Sequence, residues 1–148
     1  MCSSDLERGR LALELDQPAQ AEAWLRRALA IDPSDRRAHH RLYQSLRLQG
    51  KEKEAEEQLV TSERLAADLK RLGEIMTETM NQRPNDPDLH CELGILYLRN
   101  GQERHGLHWL ERALELNPQH RGAHQALADH YEKVGQAERA AWHKNKLR

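Results

Sequence analysis

Phenylalanine is absent from this 148-residue chain, aromatic residues make up 4% of it, and there are five prolines. A chain rich in Ala, Leu, Glu and Arg, and poor in aromatics and helix breakers, favours helix throughout. Cysteine is nearly missing. With only Cys2 and Cys91, no CxxC metal or haem motif exists. No run of 18 apolar residues occurs, so no segment is predicted to span a membrane and no membrane contact is expected. A net charge of -1 lacks the basic excess that general nucleic-acid binding needs. GxSxG, HExxH, P-loop and GxGxxG patterns are all missing, so no catalytic residue and no cofactor is expected.

What is present is repetition. Trp24-Leu-Arg-Arg-Ala-Leu-Ala-Ile-Asp-Pro33 returns 85 residues later as Trp109-Leu-Glu-Arg-Ala-Leu-Glu-Leu-Asn-Pro118. Pro84 and Pro118 are 34 residues apart, whereas Pro33 and Pro84 are 51 apart, one period plus 17. Gly50, Gly101 and Gly135 share one phase of the repeat, where a glycine suits the left-handed conformation at a helix C-terminus. Each unit therefore reads as helix A, glycine turn, helix B, proline turn. Such units cannot bury their apolar faces alone and stack to make a core.

In the third unit Leu93-Gly94, Tyr97, Gly101, Leu110, Ala113 and Pro118 fall into the positions of a known 34-residue pattern, with Gly106 replacing its first helix-B alanine. Gly9, Ala21, Leu25, Ala28 and Pro33 follow it in the first unit. Leu42, Leu46, Gly50, Ala55 and Leu59 do so in the second, and Leu127, Ala128, Tyr131, Gly135 and Ala140 in the fourth. On these residues the chain resembles the tetratricopeptide repeat (TPR) family. The resemblance implies an all-α, right-handed superhelical solenoid of antiparallel helix pairs, with an extended or extra helix in the second unit. One domain is expected, with units near 2–35, 36–86, 87–120 and 121–148, the second holding the 17-residue insert. The chaperone-type carboxylate clamp of the family is not expected, because Leu6, Arg10, Asp88 and Glu92 mismatch it and Arg41 is only a polar substitute.

Local signals place the helices. Asp86 before Pro87 and Asp88 is an N-cap followed by proline at the first helical position; Ser34 or Asp35 could cap helix 2A. The A helices should span roughly 36–49, 87–100 and 121–134 and the B helices 18–31, 102–116 and 136–147. From Lys51 to Arg83 there is no proline, and Leu59, Ala66, Leu69, Leu72, Ile75, Met76 and Met80 recur at helical spacing. Seventeen residues are close to five whole turns, so helix 2B can lengthen to about 30 residues without rotating its apolar face; the alternative is a break near Thr61-Ser62-Glu63. The first six residues, Met-Cys-Ser-Ser-Asp-Leu, match a short-read sequencing adapter read from a GTG start, and the expectation is a library artefact at the head of a longer gene product; the alternative is a short genuine start. Localisation is therefore open. Lys144 and the basic last turn predict a solvent-facing end of the array.

Histidine is plentiful, with nine in the chain. His39, His90 and His124 all occupy the fourth position of an A helix, where the family pattern has tryptophan, so they are expected as packing residues. His105 with His108, and His120 with His124, have helical pair spacing but no third ligand at a motif spacing, and no metal site is expected.

The A helices line the concave face in the TPR family, which directs attention to their polar stripes. On helix 2A these are Arg37, His40, Arg41, Gln44 and Arg47, with no acid between Arg36 and Lys51. Helix 3A offers Asp88, Cys91, Glu92, Ile95 and Arg99, and helix 4A Gln125, Asp129 and Lys133. Arginines at this spacing could chelate carboxylates in a bidentate manner; the alternative is a solvated face with Arg37 and Arg41 paired to Asp88 and Glu92. The expected function is a scaffold that binds a protein, peptide or partner helix, acidic in character, in the A-helix groove. The alternative is a non-catalytic segment of a larger enzyme or membrane-anchored assembly protein.

Overall fold

The computed structural model describes residues 2–148; the side chains of Cys2, Ser3 and Met80 lie outside that description, so the expected places of Cys2 and of Met80 in the methionine stripe do too. The described residues form eight helices and no strand: α1 Cys2–Glu14, α2 Pro18–Ile31, α3 Arg36–Leu48, α4 Glu52–Asn81, α5 Pro87–Arg99, α6 Glu103–Leu116, α7 Arg121–Lys133 and α8 Ala137–Asn145. Turns of a few residues join packed neighbours, which makes α1/α2, α5/α6 and α7/α8 antiparallel pairs.

The caps explain the boundaries. Asp35 accepts from the N–H groups of Arg37 and Ala38, and Asp86 from those of Asp88 and Leu89, which resolves the choice between Ser34 and Asp35. At the other end of the A helices Gly50, Gly101 and Gly135 have φ of 73°, 75° and 78°, the left-handed region where a Cβ is penalised. The first unit meets the same need without glycine: Asp16, one period before Gly50, has φ 55°.

Helix α4 runs unbroken for 30 residues, about 45 Å at 1.5 Å per residue. The candidate break does not form because its hydroxyls are spent otherwise. Thr61 Oγ1 donates to the Glu57 carbonyl at 2.9 Å, and Ser62, buried, donates to the Arg36 carbonyl at 3.3 Å.

By its contacts the chain divides into two compact units, one through Leu69 and one from Lys70. In the first, Leu6, Leu25, Leu42 and Leu46 form the centre of a core closed by Ala12, Ala21, Ala28, Ala38 and Ala55. Leu6 thus continues α1 into the core. In the second, Leu72 and Ile75 of α4 pack on Leu89, Leu93 and Leu96 of α5, and Leu110, Ala113, Ala123, Leu127 and Tyr131 join α6 to α7. Each buried leucine contributes about 1.5–3 kcal/mol of transfer free energy. Both units use one device for close approach: a Cβ on Gly9 would stand 2.6 Å from Leu25 Cγ, and one on Gly94 2.5 Å from Leu110 Cγ. The helices touch because a leucine fills the space a side chain would take.

Candidate functional site

In the second unit the A helices α5 and α7 face each other across an open cleft of about 440 Å³. Its floor is Ile95, Leu98, Ala126 and Gly122; its rim is Arg99, Gln125, Asp129, His130 and Lys133. Five residues picked from sequence, Ile95, Arg99, Gln125, Asp129 and Lys133, are brought together here. Gln125, Asp129 and Lys133 share one wall because they follow one another at i, i+4 along α7. Gln125 Nε2 donates to Asp129 Oδ1 at 2.7 Å, and His130 Nε2 lies 3.1 Å from Glu103 Oε1 on α6. Leu98, Ala126 and His130 escaped the sequence reading, since the TPR comparison highlights polar stripes and these sit between them. Ile95, 39% exposed, is the apolar group most available to a ligand.

Asp88 and Glu92, on the same helix as Ile95, are not at the cleft. Glu92 receives a bidentate pair from Arg71 of α4, at 2.7 and 3.0 Å. Asp88 accepts from His120 Nε2 at 2.8 Å. Asp88 and Glu92 thus each have a partner within their own unit. The sequence omitted Arg71 because it lies in the insert.

The helix 2A stripe, on α3 of the first unit, is partly quenched from within. Arg37 Nε and Nη2 both reach the Asp35 carboxylate at 3.4 Å. The Arg47 guanidinium hydrogen-bonds the Tyr43 hydroxyl at 3.1 Å and lies over that ring at 5.8 Å, a contact that raises its pKa further. His40 and Gln44 meet at 3.4 Å. Arg41 is half-buried and its Nη1 has no acceptor. Glu7 of α1 lies within the field of both Arg41 and Arg37, an acid that inspection of α3 alone could not reveal; its own pKa is lowered first by its hydrogen bond from Arg10.

The histidines turn out to do more than fill space. His39 Nε2 sits 2.8 Å from the Pro33 carbonyl and its Nδ1 2.7 Å from Gln58 Oε1. His124 Nε2 sits 2.9 Å from the Pro118 carbonyl and its Nδ1 3.0 Å from His143 Nδ1. In both cases the ring ties the preceding proline turn to the residue 19 places on, in the facing B helix. His90 holds the same place against Trp109, edge to face at 5.0 Å, and burial lowers its pKa. At His39 and His124 the expectation of packing is therefore refined to polar bridging, a role that needs two ring nitrogens and that tryptophan could not fill, whereas His90, with neither ring nitrogen hydrogen-bonded, packs as expected.

His120 is the N-cap of α7: its Nδ1 accepts from Ala123 N–H at 3.0 Å while Nε2–H donates to Asp88. Its HxxxH partner His124 is likewise engaged. No group of three or more His, Cys, Asp or Glu able to hold a metal occurs among the described residues. The buried Cys91 thiol lies near His120, since both flank Gly122, and within the field of Asp88. That trio lacks the chemistry of a nucleophile. Both nitrogens of His120 are committed, and the thiol is pushed up to about 11 by burial first and then by Asp88 and Glu92.

Among the described residues no helix is long and apolar enough to cross a membrane. Successive helix pairs with a 34-residue period, left-handed turn residues in one phase and a glycine-for-leucine exchange at the α1/α2 and α5/α6 contacts define an α-helical repeat protein. Residues 6–35 and 87–120 match the tetratricopeptide repeat family profile. Among solved structures, similarity extends to PilW, described as a widely conserved type IV pilus biogenesis factor, at 17% identity over 99% of this chain and 76% of that one, with a TM-score of 0.51. It extends to YrrB, a TPR protein with an unusual peptide-binding site, at 16% identity over 97% and 82%, TM-score 0.46, and to MamA, at 17% identity over 99% and 75%, TM-score 0.42. No curated protein is significantly similar to the chain in sequence.

Proposed function

We propose that this chain is a protein-interaction scaffold whose second unit holds a peptide or partner helix in the α5/α7 cleft. The observation that carries the reading is the cleft itself: an apolar floor of Ile95, Leu98 and Ala126 with a polar rim, on the faces of two A helices, in a TPR fold. Such a site takes an aliphatic side chain on the floor while rim groups fix the backbone. Lys133 and Asp129 at the rim give it both signs of charge, so orientation comes from the order of charges along the ligand.

The α3 stripe of the first unit is proposed as a separate contact for acidic groups. What supports it is the run of Arg37, Arg41 and Arg47 along successive turns of α3, since guanidinium groups pair with carboxylates; the unpaired Nη1 of Arg41 is itself buried. The own-chain partners of Arg37 and Arg47 weaken the attraction, so the contact is supplementary. Peptides selected on the full chain from a displayed library test both sites. Ile95→Asp should abolish capture at the cleft, and Arg41→Glu should reduce only the capture of acidic sequences. Selected peptides that bind both variants as tightly as the parent would refute the assignment.

A further inference from the structure

The contact between His124 and His143 differs in kind from its counterparts. Both side chains are buried, and their Nδ1 atoms are 3.0 Å apart. His124 Nε2 faces the Pro118 carbonyl, which only accepts, so that nitrogen carries a hydrogen. Neutral imidazole has one N–H, which leaves His124 Nδ1 a bare acceptor for the Nδ1–H of His143. A first added proton can go to His143 Nε2 and keep this bond. A second has only His124 Nδ1 left, and two N–H groups would then point at each other across 3.0 Å.

Little around the pair offsets added charge. Tyr131 stacks on His143 at 5.7 Å and Trp142 meets it edge-on at 4.7 Å. α6 presents Leu107, Leu110, Ala113 and Leu114 to this core, and α5 presents Cys91 and Leu98. The nearby charges on α7 and α8 are turned to other partners: Glu132 pairs with Lys144, Arg139 lies over the Tyr131 ring, Lys146 lies over Trp142, Arg121 donates to the Leu147 carbonyl, and His120 is held by Asp88. Among the described residues no carboxylate hydrogen-bonds either ring. His39 provides the contrast inside the same chain: opposite its Nδ1 stands the Gln58 amide, which can rotate to accept or donate and so tolerates either protonation state of the ring.

We propose that the His124–His143 pair is an acid-released clasp that ties α8 and the Pro118 turn to α7 at neutral pH and lets α8 go when both rings are protonated. Burial, and then the charge of His124, holds His143 below the ordinary histidine range. The sign follows: a histidine with a depressed folded pKa contributes stability that is complete above about 6.5 and is lost as pH falls. Because α7 also forms one wall of the cleft, release of α8 would reach that wall, but the clasp stands whether or not the cleft binds a peptide.

Amide hydrogen exchange of the full chain at about pH 7.5 and about pH 5, corrected for intrinsic rates, reads the clasp directly. Protection of α8 should fall about tenfold more than that of α6, the effect of one proton taken up across one pKa unit. His143→Gln installs the His39–Gln58 arrangement and should hold α8 protection nearly constant over the same range. An equal acid loss in the Gln variant, or none in the parent, overturns the proposal. If the variant does not fold, imidazole nitrogen shifts of the parent decide: His143 must titrate below the ordinary histidine value of about 6.5, and α8 amide shifts must follow the pair. Titration of His143 at that ordinary value with α8 unmoved overturns it equally.

Discussion

Replacing Leu110 by alanine, Gly94 by alanine, and both together forms a cycle whose outcome is set by one contact. Leu110 is fully buried, and its Cγ lies 2.5 Å from where a Gly94 Cβ would be. Truncating the leucine removes the equivalent of three methylene groups, about 2.4 kcal/mol at 0.8 each, plus a cavity term, for about 3 kcal/mol in all. Gly94→Ala alone pushes a methyl into Leu110 and to 3.0 Å from the Gly106 carbonyl, overpacking that costs about 1–3 kcal/mol despite the gain in helix propensity. In the double variant the new methyl enters the space the leucine left. It should be no less stable than Leu110→Ala, a coupling of about 2 kcal/mol against the additive sum. Urea titration of the four proteins gives the cycle, with unchanged slopes as the condition for comparing midpoints. Additive effects within about 0.5 kcal/mol would show that Gly94 and Leu110 are not in contact and that the repeat phase is misplaced.

Asp16→Gly should be neutral or stabilise by up to about 1 kcal/mol, because it relieves a left-handed non-glycine residue, whereas Gly135→Ala should cost about 1 kcal/mol; thermal unfolding checks both. His120→Ala should lose about 1 kcal/mol through the α7 cap, with His120→Asn restoring most of it. Glu22, hydrogen-bonded by Lys51, then Gln49 and Arg26, has its pKa lowered to about 2. Its contribution is present above the unfolded carboxylate value of about 4.3 and is lost as pH falls through about 2, so Glu22→Gln should flatten the acid limb of first-unit unfolding between those values. An acid limb unchanged by that substitution would place the titrating group elsewhere.

The helices were legible because three independent signals coincide in the sequence: the proline period, the glycine phase and the small/large pair at Gly94 and Leu110. The unbroken α4 could be foreseen because a 17-residue insert is close to whole turns, which keeps Leu72 and Ile75 on the buried side, although Leu69 of the expected stripe is exposed and Leu65, outside it, is buried. Asp16 was not legible as a left-handed residue, since aspartate reaches that region only when the turn imposes it. The histidine bridges needed the fold, because each joins residues 19 apart on different helices and no helical periodicity connects them. The site was half legible. Positions along α7 follow from i, i+4 spacing, but which acid faces which base depends on neighbours such as Arg71 and Glu7 that lie outside the A-helix pattern.

The central claim is that the α5/α7 cleft holds a peptide, and nuclear magnetic resonance mapping tests it most directly. A peptide selected on the full chain, titrated into isotope-labelled protein, should shift the amides of Ile95, Leu98, Ala126 and Lys133 together, and Ile95→Asp should abolish the shifts while the unbound spectrum stays folded. Shifts confined to the outer faces of α6 and α8, or shifts that persist in Ile95→Asp, would contradict it.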